Sequence, residues 1–172
     1  MAILSILRYP DPRLRKKAKK VDVFDSTLHA LLDNLFETMY ADEGVGLAAT
    51  QVNIHWRVLT VDPMENGHKQ PFYLVNPEII HHEGTFDSQE GCLSVPGAYD
   101  NVKRHQHITV RAQDKTGEFF TLQASDFKAA IIQHEIDHLN GKLFIDRLSS
   151  IKRDRVVKEL LALNHWAKDR QF

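Results

Sequence analysis

The sequence predicts an α+β fold: mostly antiparallel β-strands packed around a central helix, with further helices near the N- and C-terminal ends. Three observations carry that prediction. Apolar residues recur at helical spacing in three separate segments. Residues 56–111, between the first two of these, are rich in β-branched and aromatic side chains. The strands are grouped together and not alternated with helices, which argues against a parallel βαβ arrangement.

The first helix has Asp25 or Ser26 as its cap, and Leu28, Leu31, Leu32, Leu35, Phe36 and Met39 form its apolar face. It is expected to end near residues 41–44. The stretch Gly44-Val45-Gly46-Leu47-Ala48-Ala49-Thr50-Gln51 then reads as a turn entering an extended segment. Strands are expected at 57–61, 72–75 and 108–112, punctuated by Pro63, Pro71, Pro77 and Pro96. Asp114-Lys115-Thr116-Gly117 reads as a hairpin turn between 108–113 and 118–123. The central helix spans 127–139, with Ser125 or Asp126 to start it and Asn140-Gly141 to stop it. A last helix spans about 151–166, with Val156, Leu160 and Leu163 in its stripe.

A chain of 172 residues suits one domain, here 1–172. A net charge of -1 gives no bulk attraction to nucleic acid or anionic lipid. The local run Arg13, Arg15, Lys16, Lys17, Lys19, Lys20 reads as solvated surface. Cys92 is the one cysteine, so no intrachain disulfide forms and a reducing compartment is expected. The apolar start lacks a basic region and a cleavage site, and no stretch approaches the ~20 apolar residues of a membrane helix. The expected location is therefore cytoplasmic, with no membrane partner.

His134-Glu135-Ile136-Asp137-His138 carries the chemistry. Two histidines four apart on a helix present both rings to one face, one turn apart, within reach of a single ion. Phe127, Ala130 and Ile131 precede them on that face, so the rings are expected to point inward, and two buried imidazoles need a partner. The central helix is thus read as metal-binding, with Zn2+ or Fe2+ suited to imidazole. Glu135 sits beside the site, where it suits a general base acting on water. A third protein ligand is needed. Phe144 occupies the position where one group of metalloproteases has a histidine. Glu159 lies at roughly the distance of the glutamate that another group uses. Cys92, in Glu90-Gly91-Cys92-Leu93-Ser94-Val95-Pro96, is the favoured candidate over Glu159.

Three segments stand together in order: 44–51, Glu90-Gly91-Cys92-Leu93-Ser94, and the histidine helix. This pattern resembles the peptide deformylase family, in which these are the three signature motifs. Tyr9-Pro10-Asp11-Pro12-Arg13-Leu14 and Asn76-Pro77 also look like family features, and the match covers nearly the whole chain. The closing helix and the lack of a long insertion resemble the subgroup of Gram-negative bacteria and organelles. A family-like segment that begins almost at Met1 leaves no room for a transit peptide, which favours the bacterial cytosol.

The resemblance implies hydrolysis of the N-formyl group from the starting methionine of newly synthesised polypeptides, releasing formate. It implies one divalent ion on Cys92, His134 and His138, with Fe2+ native and Zn2+ or Ni2+ in some preparations. It implies Glu135 as base, and the Gln51 amide and Leu93 backbone N–H as oxyanion donors. Gly46 is expected to admit the peptide backbone closely. Glu90 is grouped with the substrate-side residues and read as a support of the site. Val45, Phe127 and Ile131 are the expected lining for the methionine side chain. The last helix, with Lys152, Arg153, Arg155, Lys158 and Arg170, is expected to contact the ribosome. The competing activity is a zinc endopeptidase built on the same helix. No sequence-specific nucleic-acid partner is expected.

Overall fold

The computed structural model describes residues 2–169, with side chains described for residues 2–163. Asp25 starts helix α1, Ser26–Ala41, because its carboxylate accepts from the backbone N–H of Thr27 and Leu28 at 3.1 and 3.3 Å. Leu28, Leu31, Leu32, Leu35 and Met39 are buried on one face, as the spacing predicts. They pack with Val21, Leu47, Val58 and Val75.

Five strands follow: β1 Gly46–Ala48, β2 Val58–Val61, β3 Phe72–Cys92, β4 Val95–Gln113 and β5 Phe119–Ser125. They form one sheet in sequence order, every neighbouring pair antiparallel. The expected strand at 72–75 is only the start of the 21-residue β3, and 108–112 is the end of the 19-residue β4. Two features hid this ribbon. Prolines interrupt its apolar pattern, and its middle is polar on both faces. Asp87 opposite Lys103 and Glu78 opposite Arg111 are cross-strand pairs of opposite charge. The ladder passes Pro77 through a register shift between Val75 and Glu78. Asn76, at φ 51°, turns its side chain there to the backbone of Val21 and to Gln113 Oε1.

The stretch 44–51 differs from expectation. After three strand residues it folds into a 3-10 turn, Ala49–Val52. Gln51 therefore sits on a turn, not in an extended segment.

Helix α2, Asp126–Leu139, lies against the sheet. Ala129, Ile132 and Leu139 pack on Leu59, Leu74, Ile108 and Val110. Its expected capping bond is not made. Ser125 Oγ bonds His107 Nδ1 at 2.7 Å, and Asp126 accepts from Gln106 at 3.0 Å. Helix α3, Ser150–Asp169, starts beyond a 3-10 turn at Phe144–Arg147. Its Val156 and Leu160 pack with Leu14, Val95 and Phe144. Among the described residues no helix is long and apolar enough to cross a membrane.

Buried Asp62 ties down the segment after β2. It accepts from the backbone N–H of Met64 and Gln70, each at 3.0 Å, and from the Tyr40 hydroxyl. Burial pushes the Asp62 carboxyl up, but these donors outweigh it and hold it below the usual range. Burial first, and then the Asp62 charge, raise the Tyr40 hydroxyl to about 12. A raised folded pKa stabilises fully below the unfolded value of about 10, and that stability is lost as pH climbs towards 12. Tyr40→Phe is expected to cost about 1.5–3 kcal/mol at neutral pH by urea unfolding, the range for a hydrogen bond to a charged group. The gap from wild type should close between pH 10 and 12. Equal stability at neutral pH would contradict this assignment.

Candidate metal centre

Cys92 is the last residue of β3, at the tip of the long hairpin, and His134 and His138 lie one turn apart on α2. The hairpin tip and the helix meet. Cys92 Sγ is 3.3 Å from His138 Nε2, which is 3.3 Å from His134 Nε2. The three donor atoms lie within 4.8 Å of one another, the one such cluster among the described residues.

The donor set fits a divalent ion: one thiolate and two imidazoles suit zinc or ferrous iron. The electrostatics also fit. On His134 burial opposes a proton, but the charges of Glu135, Cys92 and Glu90 outweigh it. On His138 burial and then the charge of His134 disfavour a proton. A cation shared by the three donors would supply positive charge there and keep both rings neutral.

Behind the donors lies a buried ion network. His134 Nδ1 donates to Glu90 Oε1 at 2.9 Å, which turns Nε2 towards the cluster. Arg104, on β4, holds Glu90 with Nε and Nη2 at 2.8 and 2.7 Å. Its Nη1 reaches Asp137 Oδ2 at 2.7 Å, and Arg147 also donates to Asp137. Burial alone would raise the Glu90 carboxyl, yet Arg104 and His134 hold it at about 2. Burial likewise opposes the Asp137 charge, but Arg147 and Arg104 keep its carboxyl low.

Glu135 has no such cation against it. Burial, with Glu90 and Asp137 adding, raises its carboxyl to about 7 against the pull of His134 and Arg104. Its Oε1 is buried without a hydrogen-bond partner. A Cβ placed on Gly46 would stand 2.6 Å from Glu135 Oε2 and 2.8 Å from Ile131 Cγ2. The glycine thus makes room for the carboxylate itself, a reason distinct from the expected close approach of a peptide.

Gln51 is buried. Its Oε1 accepts from Ala48 N at 2.9 Å, and its Nε2 donates to Ser94 Oγ at 3.0 Å and lies 3.7 Å from Cys92 Sγ. Leu93 lies in the turn after Cys92 and packs with the α1 cluster. A cavity of about 430 Å³ opens beside the donors, lined by Val45, Gly46, Glu90, Leu93, Ile131 and Glu135. Phe127, 47% exposed, stands at its edge. Glu90 reaches this cavity, but both of its oxygens are committed to Arg104 and His134. That commitment favours its supporting role over contact with a substrate. Phe144 is buried with its ring stacked 6.0 Å from that of His134. Glu159 is exposed on α3 and belongs to no donor cluster among the described residues.

Sequence reasoning missed Arg104, Asp137, Arg147 and Ser94. Asp137 stood in plain view inside the histidine motif. Arg104 gave no signal, because a Lys-Arg-His run on a polar strand reads as solvent-facing.

The family model for polypeptide deformylase matches residues 3–154. The chain belongs to the peptide deformylase family. It is 53% identical over 161 residues to the peptide deformylase of Stutzerimonas stutzeri, covering 93% of this chain and 95% of that relative. To that of Pseudomonas aeruginosa it is 52% identical, with the same coverage. The crystal structure of a peptide deformylase from Legionella pneumophila superposes with a TM-score of 0.90 at 44% identity, covering 99% of this chain and 100% of that one. That of Ehrlichia chaffeensis in complex with actinonin gives 0.89 at 37% identity, covering both chains fully. Membership of this family implies a catalytic divalent metal.

Arg104→Leu leaves Glu90 without its buried cation and Asp137 with only Arg147. We expect a loss of about 3–5 kcal/mol in urea unfolding of the metal-loaded protein. Glu90→Gln is expected to weaken metal binding about 10–100-fold in a chelator competition. Wild-type affinity in that variant would contradict a role in orienting His134.

Proposed function

We propose that Cys92, His134 and His138 hold the catalytic divalent ion of a peptide deformylase and that Glu135 is its general base. The activity is hydrolysis of the N-formyl group from newly synthesised polypeptides, releasing formate and a free amino terminus. The observation that carries the assignment is the convergence of one Sγ and two Nε2 atoms beside a buried carboxylate with an unpartnered oxygen. The zinc-endopeptidase reading is not favoured: the chain's relatives are deformylases, and Glu159 lies outside the cluster.

A divalent ion held there by Cys92, His134 and His138 would polarise the formyl carbonyl and bring the pKa of water towards neutrality. Glu135 accepts the proton of the attacking water and later returns it to the leaving amine. Charge developing on the formyl oxygen needs donors fixed in advance. The Nε2–H of Gln51 and the backbone N–H of Leu93 fill that role. Ser94 and Ala48 hold the Gln51 amide in one orientation. Val45, Phe127 and Ile131 form the wall for the methionine side chain. Glu90 acts through His134.

Fe2+ is the ion we assign to the native protein, with Zn2+ or Ni2+ as substitutes. Residues 1–172 act as one catalytic domain in the bacterial cytoplasm. Lys152, Arg153, Arg155 and Lys158 lie exposed on α3 and form the face we assign to ribosome contact. Arg170 lies outside the described residues. Charge reversal at Arg155 and Lys158 should lower co-sedimentation with ribosomes; unchanged co-sedimentation would contradict that contact.

Formate release from a formyl-Met peptide, with metal measured in parallel, tests the reading. Glu135→Gln should keep the ion and lower kcat about 10²–10⁴-fold, the usual contribution of a general base. Gly46→Ala should lower kcat while leaving metal content unchanged, because its methyl group displaces the carboxylate. Wild-type kcat in Glu135→Gln would refute the assignment.

A further inference from the structure

The mechanism leaves the basic segment near the N-terminus unused. Residues 1–20 hold seven Lys and Arg against Asp11 alone, a local charge of +6 on a chain whose total is -1. Two of these cations are paired, Arg13 with Asp11 and Arg15 with Asp146. Lys16, Lys17, Lys19 and Lys20 are exposed and form no ion pair among the described residues.

The segment is fixed in place. Ala18 N–H donates to Leu139 O at 2.8 Å, and Lys19 bridges to Trp56 alongside it. Arg15 leads to a groove of about 410 Å³ lined by Lys103, Lys142, Asp146 and Arg147. Asp146 is engaged by Arg15, and Asp137 by Arg104 and Arg147, while Asp87 stands opposite Lys103 on the neighbouring strand. Trp56 is 36% exposed beside Lys19.

We propose that this face docks an RNA strand through its phosphates, with Lys16, Lys17, Lys19 and Lys20 as the contacts and Lys142 extending the track. The four lysines lie within five consecutive residues and are all exposed, which concentrates positive charge where a phosphate backbone can be neutralised. Trp56 offers an aromatic face for a base next to the charges. A membrane surface fits less well. Interfacial segments insert an apolar face, whereas Leu14 and Ala18 are turned into the protein. The choice of RNA over other polyanions rests on the proposed function, since a nascent chain emerges from RNA-rich machinery.

The test is fluorescence anisotropy of a labelled oligouridine and a labelled RNA hairpin with the full metal-loaded chain, across about 50–200 mM salt. Combined Lys16→Gln, Lys17→Gln, Lys19→Gln and Lys20→Gln should weaken binding about tenfold or more and lower the salt slope by about 3. The corresponding four Lys→Arg changes should retain it. Formate release from a short formyl-peptide should match wild type in both variants. Unchanged RNA affinity in the Gln variant would overturn the proposal, as would binding to phosphatidylglycerol vesicles without binding to RNA. A wild-type chain that releases no formate would fail the deformylase reading instead, which is a separate result.

Discussion

Arg104 has 1% of its side chain exposed and stands between two carboxylates from different elements, Glu90 on β3 and Asp137 on α2. Removing a guanidinium from water is costly and is offset only if its hydrogen-bonding capacity is met. Here Nε, Nη1 and Nη2 each have a carboxylate. The network joins the hairpin to the helix that carries the histidines. Glu90, fixed by Arg104, in turn fixes the His134 ring, and through it the direction of one donor atom. The position of the other histidine follows from helix geometry, and that of Cys92 from the hairpin tip.

Two carboxylates of this small region end in opposite states because their neighbours differ. Glu90 faces a guanidinium and an imidazole and is held ionised. Glu135 is equally enclosed but faces no cation at hydrogen-bond distance, so burial dominates and its carboxyl rises. Neighbouring groups separate the two carboxyls without any change of residue type, which suits the supporting role proposed for Glu90 and the base proposed at Glu135. The space for the Glu135 carboxyl is made by Gly46, whose missing side chain leaves room for Glu135 and Ile131.

Sequence periodicity and spacing revealed α1 and α2 well, because the leucine stripe and the histidine pair follow the helical repeat directly. They revealed the hairpin poorly. A ribbon such as β3 and β4, polar on both faces through its middle, shows no alternation, and its stability comes from partners distant in sequence. The same reason hid Arg104: a buried cation among polar strand residues is recognised only once Glu90 and Asp137 are seen around it. Gln51 carries no signal of its own in the sequence, and only the family resemblance implies its role. Its hydrogen bonds to Ala48 and Ser94 need the 3-10 turn that the apolar pattern did not predict. The basic segment is legible as charge, but that its four lysines form no ion pair among the described residues is a property of the fold.

The central proposal is that one thiolate and two imidazoles share an ion. X-ray absorption at the metal edge of the zinc-loaded protein tests this directly. We predict one sulfur at about 2.3 Å and two imidazole nitrogens at about 2.0–2.1 Å, with the sulfur shell lost in Cys92→Ser. A wild-type spectrum with nitrogen and oxygen neighbours alone would contradict it.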